Sequence, residues 1–138
     1  MKNNYIQSLI NEAKIDIDSA RILYKAHKYA RTIFFCQQAL EKTAKAILHK
    51  KGHGVIISHD VSALLATEIL PKHANEELRK AILFLAGLER MSSRTRYPIS
   101  MKGKIVEPSK EFTQERAKTT FEKTIKTFKT LKKTLEKI

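Results

Sequence analysis

The sequence predicts an all-α protein, an up-and-down bundle of four long helices with one short helix between the second and third. Three observations lead there. Apolar residues recur at three- and four-residue steps through several long windows, and no window alternates apolar and polar residues as a strand does. Only four Gly and three Pro occur in 138 residues, so turns are few and the elements between them long. A hydrophobic fraction of 42% beside 30% charged residues is ordinary for a soluble globular chain, here one domain over residues 1–138 around a single core.

The first helix is expected over about Asn4–Ala26, with Ile6, Ile10, Ala13, Ile17, Ala20 and Tyr24 as its apolar seam and Asn3 or Asn4 as N-cap. A short break at His27–Lys28 makes the next helix its antiparallel neighbour. That helix lies in the stretch around which the chain is organised, HKYARTIFFCQQALEKTAKAILHKK at 27–51. Ile33, Leu40, Ala44, Ile47 and Leu48 share its apolar face. Gln38, Glu41, Lys42 and Lys45 share a flanking face, where residues three and four apart can touch. Gly52 and Gly54 end the helix, and residues 50–58 form a loop.

Ser58 or Asp60 is expected to cap a short helix over about His59–Leu70, with Val61, Leu64, Leu65 and Ile69 inward and Pro71 stopping it. The third long helix, about Asn75–Ser92, has Asn75 as N-cap and Glu76 and Glu77 in its first turn. Leu78, Ala81, Ile82, Leu85 and Leu88 form its buried stripe. Gly87 either costs the helix about 1 kcal/mol or lets a partner helix approach. Residues 93–112 read as one long structureless connection, a length that in a compact domain is usually functional or mobile. The last helix starts at the N-cap Thr113 and carries Ala117, Phe121, Phe128, Leu131, Leu135 and Ile138 as a seam, with Thr124 filling one position. Its lysines make either a solvated face or a set of phosphate contacts.

The formal net charge of +13, from 27 basic and 14 acidic residues, attracts polyanions, nucleic acid first among them. The plainer alternative is a solvated lysine-rich surface. No helix has the aromatic flanks of a membrane-surface element, and the longest apolar run, residues 81–88, is too short to span a bilayer. Cys36 is the only cysteine, so no internal disulfide forms and the residue reads as a small buried hydrophobe. The first residues, MKNNYIQSL, contain no apolar signal core, and a cytoplasmic location is expected.

Gln38, Ala39, Glu41, Lys42, Lys45 and Ala46 match the pattern Gln-Ala-x-Glu-Lys-x-x-Lys-Ala, which resembles the central helix of HEPN domains (higher eukaryotes and prokaryotes nucleotide-binding). Ala13, Asp16, Ala20 and Leu23 resemble the family's first helix, His59 with Val61 and Leu64 its next segment, and Arg96-Tyr97-Pro98 its loop. The resemblance implies a helical bundle that pairs into homodimers. It implies either a metal-independent RNase, often a toxin paired with a minimal nucleotidyltransferase-like protein, or a protein that binds nucleotide or RNA without cutting it. RNase members use Arg, four to six residues, then His before the final helix, the arginine holding phosphate and the histidine moving a proton. Here Arg94 and Arg96 stand in that region, but no histidine follows His73. The one pair at that spacing, Arg21 and His27, ends the first helix and reads as coincidence. Ile99 also stands where an acid often follows the proline.

The ligand residues expected from this are Arg94, Arg96 and Tyr97, with Gln38, Glu41, Lys42 and Lys45. Guanidinium forks suit phosphate oxygens, and a tyrosine ring stacks on bases. The structural alternatives are helix-end capping by the arginines or ion pairs to Glu89 or Glu41, and a buried polar network among the four helix residues. Catalytic candidates are Arg94, Arg96 and His59, the last being equally a structural residue beside a helix start. No Gly-rich phosphate loop, metal-ligand cluster or Ser/His/Asp set is visible, so no cofactor and no metal are expected. The leading expectation is an RNA- or nucleotide-binding homodimer in a toxin–antitoxin-type system with a nucleotidyltransferase-like partner. An RNase toxin using the arginines, or a pure interaction module, is the alternative.

Overall fold

The computed structural model describes residues 2–138, with side chains from Asn4 onward. Six helices follow one another as α1 (Lys2–Lys25), α2 (Tyr29–Leu48), α3 (Ser62–His73), α4 (Glu76–Arg90), α5 (Pro108–Glu111) and α6 (Gln114–Lys137). A small antiparallel hairpin, β1 (Ile99–Met101) and β2 (Lys104–Val106), pairs Ile99 with Val106 and Met101 with Lys104. The up-and-down bundle of α1, α2, α4 and α6 is the expected architecture, with α3 the short helix between the second and third. Among the described residues no helix is long and apolar enough to cross a membrane.

α2 is the axis of the bundle and packs on α1, α6, α4, α3 and α5. Its expected apolar face, Ile33, Leu40, Ala44, Ile47 and Leu48, is fully buried, and so are Cys36 and Ala39. A helix buried over most of its circumference has neighbours on nearly every side. Burial pushes the Cys36 thiol up to about 11, with a hydrogen bond to Thr124 opposing the rise. It is the buried, unpaired residue expected.

The α1–α2 connection is a tight reversal. His27 N donates to Tyr24 O at 3.0 Å and Lys28 N to Leu23 O at 2.8 Å, closing the end of α1. His27 itself sits in the left-handed region (φ +63°), the conformation in which a helix chain turns out of its last turn. At the other end α2 runs into a π turn, His49–His53, within which Gly52 at φ +97° breaks the helical path. The glycine-marked end is as expected, one turn beyond the last α-helical residue.

Several boundaries differ from expectation. α1 begins at Lys2, so Asn4 is an interior residue rather than a cap, and the side chain of Asn3 lies outside the described residues. Neither Ser58 nor Asp60 caps α3; Ser58 Oγ instead accepts from Asp60 N at 3.2 Å. The α3 start is closed from across the bundle by Glu89 of α4, which accepts from Val61 N at 2.8 Å and Ser62 N at 3.0 Å. Pro71 does not stop α3, which continues to His73. In the last turn the missing N–H removes only one bond, and the fixed φ remains helical. Asn75 and Thr113 cap α4 and α6 as expected, accepting from Leu78 N at 2.8 Å and Arg116 N at 3.2 Å. A side chain at Gly87 would meet nothing within 4 Å of its Cβ, so close helix approach is not the purpose of this glycine.

Residues 93–112 are not structureless. A 3₁₀ turn at Ser93–Thr95, the hairpin and α5 fill the segment, anchored by the buried Thr95, Pro108 and Phe112. The hairpin turns through Lys102 at φ +51° and Gly103 at φ +78°, the two consecutive positive angles of a type I′ turn. On α6 the expected seam is joined by Thr120, Thr127 and Thr134, all buried. Thr124 and Thr134 hydroxyls donate back to the carbonyls of Thr120 and Thr130, so these residues fill core positions without stranding a polar group.

α1 and α2 are also joined by an ion pair, with Lys42 donating to Asp16. Burial raises the Asp16 carboxyl above its ordinary value, and the bond and charge of Lys42 lower it again without cancelling the rise. A raised folded-state value means the native protein binds this proton more readily than the unfolded chain. The contribution of Asp16 to stability is therefore greatest below its ordinary 3.8 and declines as pH rises through the folded value. Urea denaturation of wild type and Asp16→Asn should show the difference shifting in favour of the variant between about pH 3 and pH 7. A difference independent of pH contradicts this account.

Candidate functional site

Helical spacing places Arg31, Phe34, Gln38, Glu41 and Lys45 along one side of α2. At its inner end stands Glu41, only 4% exposed. Gln37 Nε2 donates to its Oε1 at 2.9 Å, Lys45 Nζ lies 2.9 Å from Oε2, and His59 Nδ1 lies 3.1 Å from Oε2. Gln38 Nε2 extends the chain by donating to Gln37 Oε1 at 2.8 Å. The expected polar face is thus a connected network, and it takes in His59 from the loop before α3. The His59 side chain is 78% exposed. With Nδ1–H donating to Glu41, the tautomer this contact favours leaves the Nε2 lone pair toward solvent. Lys42 does not join the network, because its ammonium is committed to Asp16 on α1.

The other end of the strip is built by the chain leaving α4. Thr95 is buried, its hydroxyl donates to Ser92 O at 2.6 Å, and Arg31 Nη1 donates to Thr95 O at 2.6 Å. These bonds clamp the 3₁₀ turn onto α2 and set the direction in which Arg96 leaves it. The Arg96 guanidinium carbon lies 4.9 Å from the Phe34 ring centroid and 5.4 Å from that of Tyr97. Such cation–π placement orients a guanidinium while leaving its N–H edge available. Its only hydrogen bond among the described residues is a long one, Nε to Ser92 O at 3.4 Å. Tyr97 is 60% exposed.

Arg94 is used differently. It forms an ion pair with Glu111 of α5, and its Nε is buried without a partner. It therefore holds α5 against the end of α4, and its pairing is to neither Glu89 nor Glu41.

The structure brings Arg96 and Tyr97 to one end of the α2 strip and Glu41, Lys45 and His59 to the other, with Gln38 between. Two helical turns separate Phe34 from Glu41, about 10 Å along the axis. Arg94 and Lys42 stand aside, each with its own carboxylate. Sequence reasoning missed Arg31 and Phe34, although extending the three- and four-residue steps upstream from Gln38 reaches both.

A carboxylate as enclosed as Glu41 depends on the cation beside it. Lys45→Met strands that charge and should cost about 3–5 kcal/mol in urea unfolding, most of it recovered in the double variant Glu41→Leu/Lys45→Met. A single variant within about 1 kcal/mol of wild type contradicts the network.

Known proteins resemble this chain in sequence and fold. It is 28% identical over 117 residues to Putative toxin MJ1304 of Methanocaldococcus jannaschii, covering 82% of this chain and 76% of that one. The crystal structure of TT1696 from Thermus thermophilus matches it with TM-score 0.75 at 22% identity, covering 95% of this chain and 98% of that one. The crystal structure of ST0689, an archaeal HEPN homologue, matches with TM-score 0.67 at 22% identity, covering 94% and 97%. At that identity the two structures speak for the fold alone. The family model of the HEPN domain matches residues 6–137, from the first turns of α1 to the last residue of α6. This chain therefore belongs to the HEPN domain family.

Proposed function

We propose that this chain is a toxin-like HEPN protein that binds RNA or nucleotide through Arg96 and Tyr97, working as a homodimer with a nucleotidyltransferase-like partner. The observation that carries the reading is the state of Arg96, stacked over Phe34 and Tyr97 with no carboxylate partner among the described residues. An arginine whose guanidinium is placed by two rings rather than by a carboxylate keeps its donors for phosphate oxygens. The exposed Tyr97 ring beside it offers a stacking surface for an unpaired base. The net charge of +13 supports a polyanionic ligand, and the relative named a toxin supports the toxin-like role. Arg94 serves in this reading as the brace of the loop rather than as a ligand residue.

Fluorescence anisotropy with a labelled single-stranded RNA tests it. Arg96→Ala should weaken binding about tenfold, and the salt dependence should become shallower by about one phosphate contact. Unchanged affinity and slope would overturn the role of Arg96.

One observation favours a second reading, an RNase toxin. Glu41 orients His59 so that an exposed ring nitrogen is available for proton transfer, a task the missing family histidine otherwise leaves unfilled. On this reading purified protein cleaves RNA without added metal, and His59→Gln abolishes cleavage while thermal melting changes little. Cleavage at the wild-type rate in that variant rules His59 out.

A further inference from the structure

A cavity of about 490 Å³ lies between the α1–α2 turn, the Arg96–Pro98 loop and the start of α5. It falls in the size range of small-molecule sites and suits one nucleotide rather than a helix. Three of its lining side chains are cations, Lys28, Arg31 and Arg96, and His27 adds an imidazole, against the single carboxylate of Glu107. Ser109 adds a hydroxyl. These residues come from three separate segments of the chain and converge only in the folded bundle.

His27, Arg31 and Arg96 are each held in a way that leaves hydrogen-bonding groups for a ligand. The Tyr29 hydroxyl engages His27 Nδ1 at 3.0 Å and fixes the ring, while Nε2 has no hydrogen bond among the described residues. Arg31 is pinned through Nη1 to Thr95 O, which leaves the rest of its fork. Arg96 has its rings and no acid. Tyr29 and Ala30, in the first turn of the 20-residue α2, also line the cavity, and the N-cap Lys28 makes no side-chain bond to that turn. The positive end of the helix adds to the same field.

We infer that this cavity is a phosphate subsite that holds the phosphate of a nucleotide, with His27, Arg31 and Arg96 as donors. The inference rests on the reading of Arg96 as a ligand residue and adds the α1–α2 turn to it. It also gives His27 a purpose its sequence position concealed. The phosphate comes either from a free mononucleotide or from a nucleotide within an RNA strand, and Glu107 opposes it by like charge.

Calorimetric titration with AMP, and separately with a short single-stranded RNA, tests this on wild type and four variants. His27→Asn removes the ring while retaining a residue that tolerates the left-handed backbone. Lys28→Glu reverses an exposed charge and leaves the core untouched. Both should weaken the ligand by about tenfold or more. Glu107→Gln should tighten it a few-fold, a gain that loss of packing cannot produce. The same pattern with RNA but no AMP binding assigns the phosphate to the strand; the pattern with AMP assigns it to a mononucleotide. Binding lost in Arg96→Ala but unchanged in the other three variants overturns the subsite while leaving the loop reading intact. No binding of either ligand to wild type overturns both.

Discussion

The structure depends on a carboxylate buried in the helix that also forms the core. Glu41 is enclosed on α2, and an enclosed charge is tolerated only when ionic and hydrogen-bonding partners surround it. Lys45 and Gln37 satisfy it from the same helix, and His59 satisfies it from the loop ahead of α3. Of these contacts only His59 comes from outside α2, so it is the one that ties the rotation of the helix to another segment. It also draws the 54–61 loop onto α2. One face of a single helix is thereby kept polar and ordered while the opposite side is committed to packing.

The remaining interior acids are arranged in the same spirit. Asp16 takes Lys42, Glu89 takes the open N–H groups of α3, and Glu111 takes Arg94. Each ties two elements together, and each removes a negative charge from the surface. Arg96 differs from Arg94, only two residues away, in having rings rather than a carboxylate for company.

What could be read in the sequence was local. The buried face of α2 followed from its three- and four-residue steps, and the caps Asn75 and Thr113 from side chains that act three residues onward. The Glu41–Lys45 pair followed from helical spacing. What could not be read depends on partners far along the chain. Glu89 caps α3 across 27 residues, His59 meets Glu41 across 18, and Arg31 reaches Thr95 across 64. The hairpin was hidden because its strands have three residues each and its turn is Lys-Gly rather than the usual Asn-Gly. Arg21 and His27 looked like a stray match to the family spacing. In the fold Arg21 pairs with Asp18, whereas His27 lines the cavity that Arg96 also lines.

In the proposed reading, one side of α2 and the loop clamped to it form the ligand surface, rather than the lysines of α6. Backbone amide chemical-shift mapping tests this most directly, with a single-stranded RNA titrated into isotopically labelled protein. Shifts should concentrate at Arg31, Phe34 and Gln38 on α2 and at Arg96 and Tyr97 in the loop. Shifts confined to the exposed face of α6, around Lys118, Lys126 and Lys133, with α2 and the loop silent, would contradict it.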